Sequence, residues 1–257
     1  MRAPALAAAL ATTVLAGAAW AQPAETGLAD MKLHDFAAKW MMQQDDLADL
    51  GRYRAANQAL VDSADARPRV VLLGDSITFH WTPEDLPAPP TLNLVNRGIA
   101  GQNTSQMVLR FEDDVVALKP AAVVILGGTN DLRAYQGDPA SAGEAMLAAI
   151  ARNLTAMADM ADARHIRVVL CAITPIGLNQ HQRDPATLRR VNQWIKAFAA
   201  SRGYPFVDYN AALAGPGGDL PDALTADGLH PNTEAHHRMW PRLEAALAEL
   251  GLTPRPR

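Results

Sequence analysis

Short runs of consecutive apolar residues alternate along most of the chain with longer segments whose apolar positions recur every three or four residues. Arg69 to Leu73 (RVVLL), Leu92 to Asn96, Ala121 to Leu126 and Arg167 to Ala172 are of the first kind, and Pro205 to Tyr209 is a weaker fifth. A run that is apolar on both alternating faces suits a strand covered on both sides, as strands of parallel sheets are. The second kind spans Thr104 to Leu118, Ser141 to Ala163, Pro185 to Ser201 and Glu234 to Leu250. Leu147, Ile150, Leu154, Met157 and Ala161 form one stripe, and Leu188, Val191 and Ile195 form another, so these segments are predicted helices with one buried face. Strand and helix in alternation predict an α/β domain, a mainly parallel five-stranded sheet with helices on both faces. The Met and Trp residues on the stripes read as core. Ahead of the first run, Leu28 to about Ser63 reads as a helical lead-in, with Leu47, Leu50, Tyr53, Ala56 and Leu60 in step and Gly51 as a breaker.

The first residues follow a different rule. Arg2 precedes an Ala- and Leu-rich stretch to Ala18, and Ala19-Trp20-Ala21 supplies small residues for a cleavage site, the pattern of a bacterial-type secretory signal peptide. The expected organisation is a signal peptide over 1–21, a helical lead-in over 22–66 and one catalytic domain over 67–257, exported to the periplasm or beyond. The small residues favour cleavage over an uncleaved anchor, and no stable membrane association is expected afterwards. Of the chain's 257 residues 49% are hydrophobic and 19% charged, which excludes a mainly disordered chain. A net charge of -4 without a basic run gives no electrostatic footprint for nucleic acid. Cys171 is the single cysteine, so neither an intrachain disulfide nor a multi-cysteine metal site can form. It lies inside an apolar strand and reads as a buried, inert thiol.

In a parallel sheet ligands bind beyond the carboxyl ends of the strands, and those positions carry the polar residues of interest. Gly74-Asp75-Ser76-Ile77-Thr78 follows the first run, Asn96-Arg97-Gly98-Ile99-Ala100-Gly101 closes the second, and Gly127-Gly128-Thr129-Asn130-Asp131 follows the third. Asp227-Gly228-Leu229-His230-Pro231 precedes the last helix. A serine hydroxyl is a weak nucleophile at neutral pH and needs a base within hydrogen-bond reach, and His230 would have to return to Ser76 to serve. Asp227, three residues earlier on a turn freed by Gly228, can hold the imidazole in one tautomer. A tetrahedral oxyanion needs fixed donors, for which the backbone N–H groups of Ser76 and Gly101 and the amide of Asn130 are candidates.

These four segments resemble the blocks of the SGNH (GDSL-type) hydrolase superfamily: Ser76 in Gly-Asp-Ser, Gly101 in Asn-x-Gly-Ile-x-Gly, Asn130 in Gly-x-Asn-Asp and His230 in Asp-x-x-His. The resemblance runs from about Arg69 to Trp240. It implies a flavodoxin-like three-layer α/β/α sandwich and hydrolysis of carboxylic esters, with Ser76 as nucleophile, His230 as general base and then acid, and Asp227 as its orienter. Ser76, Gly101 and Asn130 would form the oxyanion hole, with no metal and no cofactor. Ile77 stands where the GDSL name has Leu, a change that touches nothing catalytic. Gly-x-Ser-x-Gly is absent, so the α/β-hydrolase elbow is not supported. Asp75 reads as support for the surrounding loops, Asp131 as a cap of the segment that follows it, and His236 and His237 as surface residues.

Substrate is read from the segments around the site: Phe79 to Pro90 with Trp81, Leu132 to Gln136 with Arg133 and Tyr135, and Thr174 to Asp184, rich in Asn, Gln and His. Trp81, Arg133 and Tyr135 are the candidate substrate contacts. Their mixture of aromatic and polar groups suits a carbohydrate or a small polar alcohol, and the expectation is a short-acyl (acetyl) esterase of such a compound. A lysophospholipase or thioesterase, an O-acyltransferase and a catalytically silent binding protein are the alternatives. Oligomeric state is not legible.

Overall fold

In the computed structural model, residues 46–82, 85, 87–133, 139–180 and 183–253 are described, with side chains throughout except at 139–141. The element order is α1 (Arg54–Val61), β1 (Arg69–Gly74), α2 (Ser76–Phe79), β2 (Asn93–Gly98), α3 (Thr104–Leu109), α4 (Phe111–Asp114), β3 (Ala122–Leu126), α5 (Pro139–Asp162), β4 (Arg167–Cys171), α6 (Pro185–Arg202), β5 (Phe206–Val207), α7 (Tyr209–Leu213) and α8 (Thr233–Glu249). The five strands pair in parallel in the order β2-β1-β3-β4-β5. That order makes β1 the switch strand, with β2 on one side and β3 on the other, and a ligand crevice opens at such a point.

Period two within each strand builds two separate cores. Val71, Leu73, Val123, Ile125, Val168 and Leu170 face α3 to α6, where Met107, Phe111, Ile150, Leu154, Val191 and Ile195 meet them. Val70, Leu72, Val124, Leu126, Val169 and Cys171 face the other way, onto Ile77, Tyr209, Met239, Trp240 and Leu243 of α2, α7 and α8. The result is the three-layer α/β/α sandwich. Both faces being apolar is why each strand reads as an unbroken hydrophobic run. Cys171 belongs to this core, and burial pushes its thiol far above the ordinary range.

Three expectations need correction. The Thr104 to Leu118 segment is two short helices and a 3-10 turn at Val116–Leu118, interrupted at Arg110, whose side chain leaves the helical pattern to enter the sheet end. β2 runs on through Asn96 and Arg97 to Gly98, because partners cover its polar end: Arg97 is buried, bonds Asn57 through Nε at 2.8 Å, and lies over the Tyr53 ring at 4.5 Å. Among the described residues of the lead-in, helix occupies Arg54–Val61, Leu47 and Leu50 are exposed, and the buried side chain of α1 is Asn57. Residues 28–45 of that expectation, and the signal peptide over 1–21, lie outside the described residues. Among the described residues no helix is long and apolar enough to cross a membrane.

The register brings three strand ends to one rung. Gly74 of β1 lies opposite Gly98 of β2 and Leu126 of β3. Ser76, Gly101 and Asn130 follow that rung by two, three and four residues. Arg110, fully buried, ties the ends together: its guanidinium donates to Gly74 O at 2.9 Å, Arg97 O at 2.8 Å and Gln102 Oε1 at 2.6 Å, and pairs with Asp114 at 2.9 Å.

Candidate active site

The chain turns from β1 into α2 within two residues. Gly74 permits this, since a Cβ there would stand 2.0 Å from Thr78 Oγ1 and 2.6 Å from Leu126 O. Asp75 is the N-cap, its Oδ1 accepting the Ile77 N–H at 2.9 Å. A serine at a helix start is often spent on capping; here the aspartate does that work and the Ser76 hydroxyl is left for other partners. Asp75 is fully buried and its Oδ2 has no hydrogen-bond partner among the described residues. Burial, with Asp131 adding like charge, pushes its carboxyl up to about 6.

His230 reaches Ser76 from the far end of the sequence, with Nε2 2.9 Å from Ser76 Oγ and Nδ1 2.6 Å from Asp227 Oδ2. Asp227 is itself held through one oxygen: Oδ1 accepts from Leu229 N at 2.9 Å, His230 N at 2.8 Å and Thr225 Oγ1 at 3.2 Å. Burial raises its carboxyl, but these hydrogen bonds outweigh burial and hold it well below the usual carboxylate range. An ionised Asp227 at Nδ1 requires the proton there, so neutral His230 presents a bare Nε2 lone pair to the Ser76 hydroxyl. The turn depends on Gly228, whose φ is +78°. A Cβ on it would fall 1.9 Å from Asn179 Oδ1, so handedness and space both demand glycine.

The other two candidates meet across the loops after β2 and β3. Asn130 Nδ2 donates to Gln102 O at 2.9 Å, tying its amide to the residue after Gly101. Gly101 sits at φ +84°, in the turn that leads into α3. The helix start beyond it is fixed by Asp131, which accepts from Thr104 N at 3.0 Å and from Thr104 Oγ1 at 2.5 Å. Asp131 thus supports the start of a helix 27 residues earlier, beside its N-cap Asn103, and residues 134–138, the segment it was expected to cap, lie outside the described residues.

Several residues fall elsewhere than the sequence suggests. Trp81 is buried, donates from Nε1 to Asp85 O at 3.2 Å, and stacks on His236 with ring centroids 5.5 Å apart; it is core on the α8 side, not a substrate contact. His236 is correspondingly not a surface residue. It is buried with Nδ1 3.1 Å from Asp85 Oδ2, and burial pulls its imidazole down. The partner, 151 residues away, could not be found by searching near the histidine. Arg133 is exposed just past β3, and Tyr135 lies outside the described residues.

Residues that sequence reasoning passed over also stand here. His80 packs edge-on to the His230 ring at 5.2 Å. Asn179 and Gln180 donate to Asp227 O at 3.2 and 2.8 Å, and Gly177 N donates to Gly228 O at 2.7 Å, so the loop after β4 braces the Asp227 turn. Only its richness in Asn and Gln hinted at this. A cavity of about 670 Å³ lies behind that loop, with Leu132, Met146, Ile176, Gln180, Arg183 and Asp219 among its walls. Among the described residues no group of three or more His, Cys, Asp or Glu is placed to hold a metal ion.

Comparison with known proteins places this geometry. Residues 72–238 match the model of the GDSL-like lipase/acylhydrolase family. Platelet-activating factor acetylhydrolase IB subunit alpha1 of Rattus norvegicus is 31% identical over 219 residues, covering 81% of each chain. Acetylxylan esterase of Geobacillus stearothermophilus is 28% identical over 149 residues, covering 56% of this chain and 67% of that one. Among solved structures, a GDSL-like lipase of Bacteroides thetaiotaomicron superposes with a TM-score of 0.67 at 30% identity, over 79% of this chain and 99% of that one. The sandwich fold, the Gly-Asp-Ser and Asp-x-x-His blocks and these likenesses agree: the chain is an ester hydrolase of the GDSL-like lipase/acylhydrolase family.

Proposed function

We propose that the protein hydrolyses short-acyl, foremost acetyl, esters of carbohydrates or small alcohols through an acyl-enzyme on Ser76. The observation that carries this reading is the continuous hydrogen-bond chain from Asp227 through His230 to Ser76. Ser76 Oγ attacks the ester carbonyl carbon as its proton passes to His230 Nε2, and the imidazolium is stabilised by the ionised Asp227. Charge developing on the carbonyl oxygen is met by the N–H groups of Ser76 and Gly101 and the Asn130 amide. Collapse of the tetrahedral intermediate expels the alcohol, which takes the proton from His230. Water, deprotonated by the same imidazole, then releases the acid and restores Ser76.

The acetyl preference is supported by what the two named relatives share. One is a platelet-activating factor acetylhydrolase and the other an acetylxylan esterase, so their alcohol portions differ while the acetyl group is common to both. A p-nitrophenyl ester series from acetate to palmitate tests this: kcat/KM should be highest at acetate and fall with length. A rate that climbs with chain length would move the reading to longer acyl substrates. We also propose export by cleavage after Ala21, for which the test is whether the mature chain begins at Gln22.

A further inference from the structure

Arg183 is buried although it stands in a loop, and it donates in three directions. Nε reaches Thr129 O at 3.0 Å, Nη1 reaches Gln180 Oε1 at 2.9 Å and Nη2 approaches Asn130 Oδ1 at 3.5 Å. The acceptors belong to two parts of the site. Thr129 and Asn130 lie past β3, whereas Gln180 passes the connection on, its Nε2 donating to Asp227 O at 2.8 Å.

The amide of Asn130 gives this arrangement a chemical meaning. A carboxamide has an acceptor end and a donor end of nearly equal shape, and only its partners decide which way it points. A guanidinium is donor-only, so the end facing Arg183 must be Oδ1. The Gln102 carbonyl is acceptor-only, so the end facing it must be Nδ2. One N–H of Asn130 is thereby spent on the Gly101 loop, and the second is left to point at a substrate oxygen. Donation from a cation to Oδ1 also polarises the amide and makes that N–H a stronger donor. Burial, with like charge from Arg133, pulls the Arg183 guanidinium below its ordinary range, and the charges of Asp75 and Asp227 oppose that shift.

We infer that Arg183 is a positioning residue that fixes the Asn130 amide as an oxyanion donor and, through Gln180, holds that donor in register with the Asp227 turn. This rests on Asn130 being an oxyanion donor, as in the proposed function. A residue of this kind acts on the transition state through Asn130, so its removal lowers kcat and leaves KM nearly unchanged.

The test is a double-mutant cycle with p-nitrophenyl acetate on Arg183→Gln, Asn130→Ala and the pair, with Tm recorded for each. Asn130→Ala is expected to lose about 10²- to 10³-fold in kcat, as for one oxyanion donor. Arg183→Gln alone is expected to lose at least about tenfold in kcat with KM within about twofold. In the Asn130→Ala background the same change should cost no more than about threefold, since residues acting through one another do not multiply. If Arg183→Gln fails to fold, Arg183→Lys, which keeps the charge but not the fork, takes its place in the cycle. Full multiplication of the two losses, or a loss carried by KM, overturns the inference while leaving the esterase reading intact. An Asn130→Ala variant with unchanged kcat removes the oxyanion assignment itself, and the role of Arg183 with it.

Discussion

Asp75 and Asp227 both stand in turns that carry active-site residues, and their surroundings push them in opposite directions. Asp227 accepts hydrogen bonds from two backbone N–H groups and from His230, and stays ionised. Asp75 accepts one at Oδ1, is sealed from water, and titrates near 6. The sign of the stability effect follows. An acid whose folded pKa lies above its unfolded value of 3.8 contributes stability that is complete below 3.8 and is lost as pH rises through about 6. The neutral isostere Asp75→Asn keeps the acceptor for Ile77 and has no charge to bury. Its stability relative to wild type should therefore improve by on the order of 1–3 kcal/mol between pH 4 and pH 8. Thermal melts of both proteins across that range check this, and a constant difference would contradict it. Ser76, Asp227 and His230 were legible in the sequence because the partner that defines His230 is three residues away and the strand ends mark where to look. His236 was misread because its partner Asp85 is 151 residues away along the chain, and Trp81 was misread because it is buried by stacking on that same histidine.

Among elements, the 225–231 turn carries more of the chemistry than any helix. Thr225 accepts from Gly228 N at 3.0 Å and bridges to Pro231, closing a loop in which Asp227 and His230 face one another. Gly228→Ala is expected to cost about 1–2 kcal/mol for the left-handed backbone alone. The clash with Asn179 adds displacement of the turn, and an error of about 1 Å at a reacting group costs about 10²-fold. The variant should thus lose at least about tenfold in kcat along with several degrees in Tm. Adding Asn179→Ala should recover part of the activity by clearing the space, while the backbone strain remains. Kinetics and melts on the single and double variants read both, and a Gly228→Ala protein equal to wild type would refute the strain argument. The strands and long helices were legible because unbroken short apolar runs mark the former and apolar stripes of period 3.6 the latter. α1 was misjudged at its buried face because Asn57 is held by Asp114, Arg97 and Asp113 O, contacts that no hydropathy pattern encodes.

Across the whole domain, function comes from the sheet order. Placing β1 between β2 and β3 sets Ser76 beside the Gly101 and Asn130 loops, and the return of the chain after α7 delivers His230 across 154 residues. The segment ahead of β1 takes part as well: Tyr53 donates to Gly98 O at 2.5 Å, and Gln102 and Gln106 each donate at 2.7 Å to Ala48 O and Leu47 O, clasping the Gly101 loop from outside. The single cysteine is core and the buried guanidinium groups of Arg97 and Arg110 at the strand ends are structural ties, so the reaction falls to the serine. Treating the protein with a fluorophosphonate, weighing it intact and mapping the labelled peptide puts that assignment to the test. One adduct is expected, on Ser76, formed in step with loss of p-nitrophenyl acetate hydrolysis and absent from Ser76→Ala. No adduct, or a Ser76→Ala protein as active as wild type, would contradict it.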